Sequence, residues 1–204
     1  MPVNIKPVVI DNVIPKSLQE DIKEQLKYQA MWYYCPSASG AGTKVDNSPS
    51  ILDGPQMVHG LITENQSSSP LSNLAFTISN HIERYLDTNI RYVIRAKANL
   101  LLRDSGSFDL YHPPHMDVPN NDCVSAVYYV EDSDGETLIF NKTVEEDPYN
   151  LKIIDKVEPK QGRVAIFPSK IFHASQNPVI NDSRTIINFI LQIDRAKIID
   201  TFGI

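Results

Sequence analysis

The sequence predicts a mainly β protein with flanking helices (α+β), a β-barrel or jelly roll with two or three N-terminal helices packed on one outer face. Three observations carry that expectation. From Arg91 onward short apolar runs follow one another: YVIRAKANLLL, CVSAVYYV, ETLIF, LKIIDKV, RVAIFP and RTIINFILQI. Turn clusters such as Asp104-Ser105-Gly106 and Asp132-Ser133-Asp134-Gly135 separate them, with no helical periodicity between, so antiparallel pairing is expected. Two apolar stripes at helical spacing precede this region, and 204 residues with 42% hydrophobic content can bury one core without staples.

The elements are expected in this order. PVVIDNVI, residues 7–14, reads as a β-branched strand. Pro15 then opens a helix over Lys16–Tyr28, with Leu18, Ile22 and Leu26 four apart. Proline suits that first turn because its missing N–H would have no partner there. Met31-Trp32-Tyr33-Tyr34 is strand-like. Residues 35–70 are dominated by Ser, Gly, Asn and Pro, interrupted by one apolar stretch, Gln56–Thr63. Such a segment is read as a lid, a mobile insertion or a plain surface loop. A second helix is expected over Leu71–Leu86, where Leu71, Leu74, Ala75, Ile78, Ile82 and Leu86 form one stripe. The whole, 1–204, is expected to be a single domain: residues 1–90 as helical and strand support with a lid region, 91–204 as the jelly-roll core.

Composition narrows the function. Lys+Arg 19 against Asp+Glu 25 gives a net charge of −6, and no basic cluster relieves it. A nucleic-acid partner is therefore not expected. No apolar run approaches a membrane span and the N-terminus lacks a secretory pattern, so a soluble, cytoplasmic protein with no membrane partner is expected. Cys35 and Cys123 are far apart and have no CxxC neighbour, which argues for free thiols and against a metal site built on sulfur.

Chemistry concentrates in His115-Met116-Asp117. In an extended segment residues i and i+2 share a face, so the imidazole and the carboxylate can reach one ion while Met116 points away. Pro113-Pro114 hold the chain extended ahead of them. His173 follows RVAIFPSKIF, an apolar strand closed by a Pro-Ser turn, and Arg184 heads RTIINFILQI, sharing a side with Ile186, Asn188 and Ile190. Two imidazoles and one carboxylate leave three adjacent positions of an octahedron open, which suits a non-haem Fe(II) oxygenase. A 2-oxo acid would fill two of those positions, dioxygen the third. The far carboxylate of 2-oxoglutarate would then meet a planar cationic fork, which Arg184 supplies.

The stretches HMDVPNNDCVSAVYYVEDSDGETLIF and GRVAIFPSKIFHASQNPVINDSRTIINFIL resemble the Fe(II)/2-oxoglutarate-dependent dioxygenases, and within them the prolyl 4-hydroxylase-like branch. The cadence of H-x-D, then P-N, then Y-Y is similar to that of the hypoxia-sensing prolyl hydroxylases. The likeness covers residues 90–193. It implies a double-stranded β-helix, with His115, Asp117 and His173 as iron ligands and Arg184 as the partner of the 2-oxoglutarate C5 carboxylate. Tyr129 resembles a tyrosine whose hydroxyl supports that carboxylate, and Gly135-Glu136-Thr137 matches a structural turn. The implied cofactors are Fe(II), 2-oxoglutarate as cosubstrate and O2, with ascorbate as a candidate reductant. The implied reaction is hydroxylation of an unactivated C–H bond with release of succinate and CO2, on a peptidyl-proline or small-molecule substrate.

The chain also departs from the family. The collagen-type branch commonly has Lys at the Arg184 position, and a frequent Ser two residues later is Ile186 here. A tyrosine expected near Arg103-Asp104 is replaced. The nucleic-acid demethylases carry a second Arg where this chain has Ile190. Two rival functions stay open: a cupin-like Zn or Mn hydrolase or isomerase using the same three residues, and a catalytically silent jelly-roll binding module. His112 is read as a rim residue, His81 as a surface or half-buried one, and His59 as without a working partner. Trp32-Tyr33-Tyr34 is a packed strand or a substrate platform. Specificity is placed in residues 31–70 and the Asn141–Asn150 loop.

Overall fold

A computed structural model of the chain describes residues 5–38, 54–104, 109–143 and 150–204. The elements run β1 (Val8–Ile10), α1 (Lys16–Gln29), β2 (Tyr33–Cys35), β3 (Gln56–Thr63), β4 (Gln66–Ser67), α2 (Ser72–Leu86), β5 (Tyr92–Leu102), β6 (Cys123–Tyr129), β7 (Thr137–Thr143), β8 (Ile153–Val157), β9 (Val164–Pro168), β10 (Ile171–Ser175), β11 (Ser183–Gln192) and α3 (Arg195–Phe202). Strands pair in two antiparallel sheets. The larger runs β1-β9-β6-β11-β5-β3-β2, with β4 added on β3; the smaller runs β10-β7-β8.

Alternation along the strands explains the layers. Ala126, Tyr128, Ile187, Phe189, Ala96, Ala98 and Ile166 leave the larger sheet on one face and meet Ile22 and Leu26 of α1 and Leu74, Ile78 and Ile82 of α2. Val127, Tyr129, Ile186, Ala165 and Phe167 leave on the other face and meet Ile139 and Ile171 of the smaller sheet. Period-two side chains on a sheet with both faces covered produce two apolar layers, so the arrangement is a jelly-roll barrel with helices on one outer side.

Several expectations are adjusted. The strand expected over 7–14 pairs only at Val8–Ile10, because Asn12 turns at φ 52 before the helix. Gln56–Thr63, read as an apolar interruption of a loop, is β3, paired along β5. With β1, β2 and β4 it puts strands from before residue 91 into the larger sheet, so that sheet is not confined to 91–204. Two helices precede the barrel; the third lies at the C-terminal end and is capped by Asp194, whose side chain accepts from Ala196 N. The run RVAIFPSKIF divides at Pro168-Ser169 into β9 and β10, which join different sheets. Parts of the proposed specificity segments, 39–53 and 144–149, lie outside the described residues. No helix among the described residues is long and apolar enough to cross a membrane.

Candidate functional site

The backbone brings the two imidazoles together. His115 forms an isolated antiparallel bridge with His173 of β10. His115 N donates to His173 O at 2.9 Å, and His173 N to His115 O at 2.8 Å. A directly opposed pair carries both side chains on one face, and the rings lie 4.5 Å apart between centroids. Asp117 N donates to Ser169 O at 3.1 Å, which turns its carboxylate toward the same point. The ligand atoms of His115, Asp117 and His173 all lie within 4.8 Å of one another.

The hydrogen bonds fix which nitrogen is free. His115 Nδ1 is 3.3 Å from Pro113 O, and His173 Nδ1 is 3.1 Å from Ile171 O. A carbonyl only accepts, so each Nδ1 carries a proton, which leaves Nε2 as the nitrogen of each ring able to bind an ion. His173 Nε2 stands 3.8 Å from Asp117 Oδ2. Burial, then the neighbouring His173, pushes His115 down to about 4, so it is a neutral donor at physiological pH. Burial would raise the Asp117 carboxyl. His173, His115 and Arg95 outweigh it together with the Ser125 hydrogen bond, and hold the group at about 2. Two imidazoles and one carboxylate at this separation can hold a divalent ion such as Fe(II).

Asp117 is itself gripped. Arg95 Nη2 donates to Oδ1 at 3.0 Å, Asn188 Nδ2 to the same oxygen at 3.1 Å, and Ser125 Oγ to Oδ2 at 2.6 Å. The donors come from β5, β11 and β6, three adjacent strands, so the carboxylate orientation is set by the sheet.

These shifts predict acid lability of the metal-free protein. His115 binds its proton near pH 6.5 when unfolded and near 4 when folded, so the unfolded state gains protons first as pH falls. Stability is therefore expected to drop between pH 6.5 and 4 by about 3 kcal/mol. Asp117 extends the loss below pH 4 by the same logic, since its folded value lies below its ordinary one. Urea melts from pH 7 to 4.5 check this: His115→Gln should flatten the profile, and an unchanged slope would contradict the assignment.

Arg184 lies across a narrow cavity lined also by His115, His173, Thr137, Ile186 and Asn188. The side chain is buried (2% exposed). Its Nε donates to Gly135 O at 2.6 Å and its Nη2 to Thr137 Oγ1 at 2.7 Å. Among the described residues no carboxylate pairs with it. Burial lowers its pKa, while Tyr129 raises it. A buried guanidinium held only by neutral oxygens leaves the charge uncompensated, a costly arrangement unless an anion joins it. A 2-oxoglutarate carboxylate fits that need. Gly135 is required by close approach: a Cβ there would lie 2.6 Å from Gln176 O and 2.9 Å from Arg184 Cδ.

The other expected residues separate. Tyr129 is buried, and its hydroxyl donates to Thr137 Oγ1 at 2.8 Å; its ring centre is 5.7 Å from the Arg184 guanidinium carbon. It therefore reaches the pocket through Thr137. That threonine, read as part of a structural turn, lines the cavity. His112 is no rim residue: it is 1% exposed, with Nε2 2.8 Å from Asn177 Oδ1. His59 does have partners, Ser69 Oγ at 2.8 Å and Met31 O at 3.0 Å, and it works in packing the helix side of β3. His81 is half-buried on α2. Trp32 packs on the helix-side core, while Tyr33 and Tyr34 are exposed. Cys35 and Cys123 are free.

Sequence reasoning missed Arg95, Ser125 and Thr137 as site residues. The signal lay in alternation: Arg95, Asn99 and Leu101 share the site face of β5, as Ser125, Val127 and Tyr129 do on β6.

Residues 106–192 match the family model described as 2OG-Fe(II) oxygenase superfamily. No curated protein matches the chain. Among solved structures, a 2OG-Fe(II) oxygenase family oxidoreductase from Burkholderia pseudomallei is 16% identical, with 91% of this chain and 84% of that one covered at a TM-score of 0.63. A prolyl-4-hydroxylase from Pseudomonas putida is 14% identical, with 92% and 93% covered at 0.54. The α-ketoglutarate-dependent epimerase SnoN of nogalamycin biosynthesis is 11% identical, with 93% and 79% covered at 0.62. At these identities the likeness is one of fold.

Proposed function

We propose, from the match of residues 106–192 to the 2OG-Fe(II) oxygenase superfamily model, that this chain is an oxygenase of that kind and hydroxylates an unactivated C–H bond of a peptidyl-proline or small-molecule substrate. His115, Asp117 and His173 hold Fe(II), and Arg184 anchors the C5 carboxylate of 2-oxoglutarate. The observation that carries this reading is the pairing of a His–Asp–His cluster with a buried guanidinium that has no acidic partner among the described residues, with His115, His173 and Arg184 lining one cavity.

When bound, iron and 2-oxoglutarate supply the oxidative decarboxylation that consumes O2, releases succinate and CO2, and oxidises the substrate. The chain's own residues do the rest. Pro113 O and Ile171 O engage Nδ1 of each imidazole, so Nε2 of His115 and of His173 would be the atoms that hold the ion. Arg95, Asn188 and Ser125 keep Asp117 ionised and oriented. Thr137 ties the Arg184 fork to Tyr129, which fixes the depth at which the cosubstrate carboxylate docks. Val127 and Ile186 give the cavity an apolar wall that would limit the access of water to the bound groups.

The test is anaerobic addition of Fe(II) and 2-oxoglutarate. A weak visible charge-transfer band that oxygen quenches, with succinate released, is expected. A protein that binds metal without the band would instead support a hydrolase, and one that binds no metal would support a silent module. Product analysis then separates hydroxylation from epimerisation.

A further inference from the structure

Two cations, Arg95 and Lys97, stand beside the triad, and among the described residues Arg95 is ion-paired with Asp117 while Lys97 has no ion pair. Arg95 and Lys97 alternate with core residues on β5, so both project from its site face together with Asn99 and Leu101. Arg95 spends Nη2 on Asp117, but its Nε is buried with no hydrogen-bond partner. Lys97 is half-buried and, among the described residues, makes no hydrogen bond or ion pair. Burial and Arg95 push its ammonium below the ordinary value, and Asp117 and Cys35 are the groups that act in the other direction.

Charge accounting sharpens the point. With a divalent iron and a doubly charged 2-oxoglutarate in place, Asp117 and Arg184 complete a neutral set. Adding Arg95, which already shares Asp117, and Lys97 brings the set to a net charge of about +2. The carbonyl oxygens of Asn99 and Asn188 beside Lys97 also lack donors, but they are neutral dipoles. Partly buried cations of like sign side by side are costly unless an anion meets them.

There is room for one. Lys97 pairs across the sheet with Asn188 on β11 and with Gly60 on β3. A directly opposed residue shares the face, and a Cβ built on Gly60 meets no described residue within 4 Å. Among the described residues the space beside Lys97 is therefore open, immediately next to the strands that orient Asp117.

We propose that Arg95 and Lys97, flanked by Gly60, form a second anion-binding subsite that takes a carboxylate or phosphate group of the substrate. This rests on the oxygenase reading and names its substrate class: a molecule carrying a negative group near the C–H bond to be oxidised. The ammonium gives a point charge and the Arg95 Nε–H a directed donor, a pair that suits an oxyanion better than a neutral amide.

The test uses protein loaded with Zn(II) and 2-oxoglutarate, titrated calorimetrically with benzoate, phenyl phosphate and the neutral benzamide. Both anions, or one of them, should bind, and benzamide should bind at least about tenfold more weakly. The stronger anion tells carboxylate from phosphate. Lys97→Met should weaken the anion by about tenfold or more. Gly60→Leu, which fills the open space, should do the same while 2-oxoglutarate affinity moves less than about twofold. Gly60→Leu keeps the test decisive should Lys97→Met fold poorly. Benzamide binding as well as benzoate, no anion binding, or anion binding unchanged in Gly60→Leu would each overturn the subsite. Failure of the wild type to bind 2-oxoglutarate would overturn the oxygenase reading instead; the same titration on the metal-free protein still reads the subsite.

Discussion

His173→Ala is expected to lower 2-oxoglutarate-dependent succinate release by at least about a thousandfold, with a parallel loss of Fe(II) affinity. The side chain is 5% exposed and its Nδ1 is engaged by Ile171 O, so its Nε2 has no function in packing that another group shares. The bridge to His115 is made by backbone atoms, and alanine keeps it. The variant should therefore fold with His115 and Asp117 in place but leave only two donors. Two donors hold the ion weakly and no longer define one open face. Metal analysis of the purified variant and a succinate assay check both halves; sustained succinate release would contradict the ligand assignment.

Arg184→Met is expected to weaken 2-oxoglutarate binding by about a hundredfold or more while Fe(II) affinity stays within a few-fold. The physics of the empty and filled pocket differ in sign. Without cosubstrate, Arg184 is a buried charge held by Gly135 O and Thr137 Oγ1. Replacing such a charge by an apolar side chain of similar length is often neutral or stabilising. Thr137 Oγ1 retains the Tyr129 hydroxyl as donor, so the loss is not left unsatisfied at that oxygen. With cosubstrate the wild type alone gains an ion pair. The wild-type melting temperature should thus rise with 2-oxoglutarate and that of the variant should not. An equal rise in both would place the carboxylate elsewhere.

The strand segments and the His115–Asp117 pair were legible because both depend on alternation within one strand or on a spacing of two. YVIRAKANLLL coincides with β5, and His115 and Asp117 reach one point as their spacing implied, whereas bringing His173 and Arg184 to them rested on the chemistry of the set and the family resemblance. What was not legible depends on contacts between strands distant in sequence. Arg95 of β5 meets Asp117, which lies ahead of β6 and is held by Ser169, a contact across 22 positions that no single strand's alternation records. β10 was hidden inside RVAIFPSKIF because an apolar run does not announce that its two halves join different sheets. Gln56–Thr63 was obscured by its polar neighbours, although its own content suits a buried strand. His112 looked like a rim residue by its nearness to His115, yet Asn177, 65 positions away, draws it inside.

The most direct test of the central claim is anomalous diffraction at the iron edge from crystals grown anaerobically with Fe(II) and 2-oxoglutarate. The expected result is one iron peak within bonding reach of His115 Nε2, Asp117 and His173 Nε2, with the cosubstrate extending from it to the Arg184 guanidinium. A peak at any other residues, or a cosubstrate carboxylate turned away from Arg184, would contradict it.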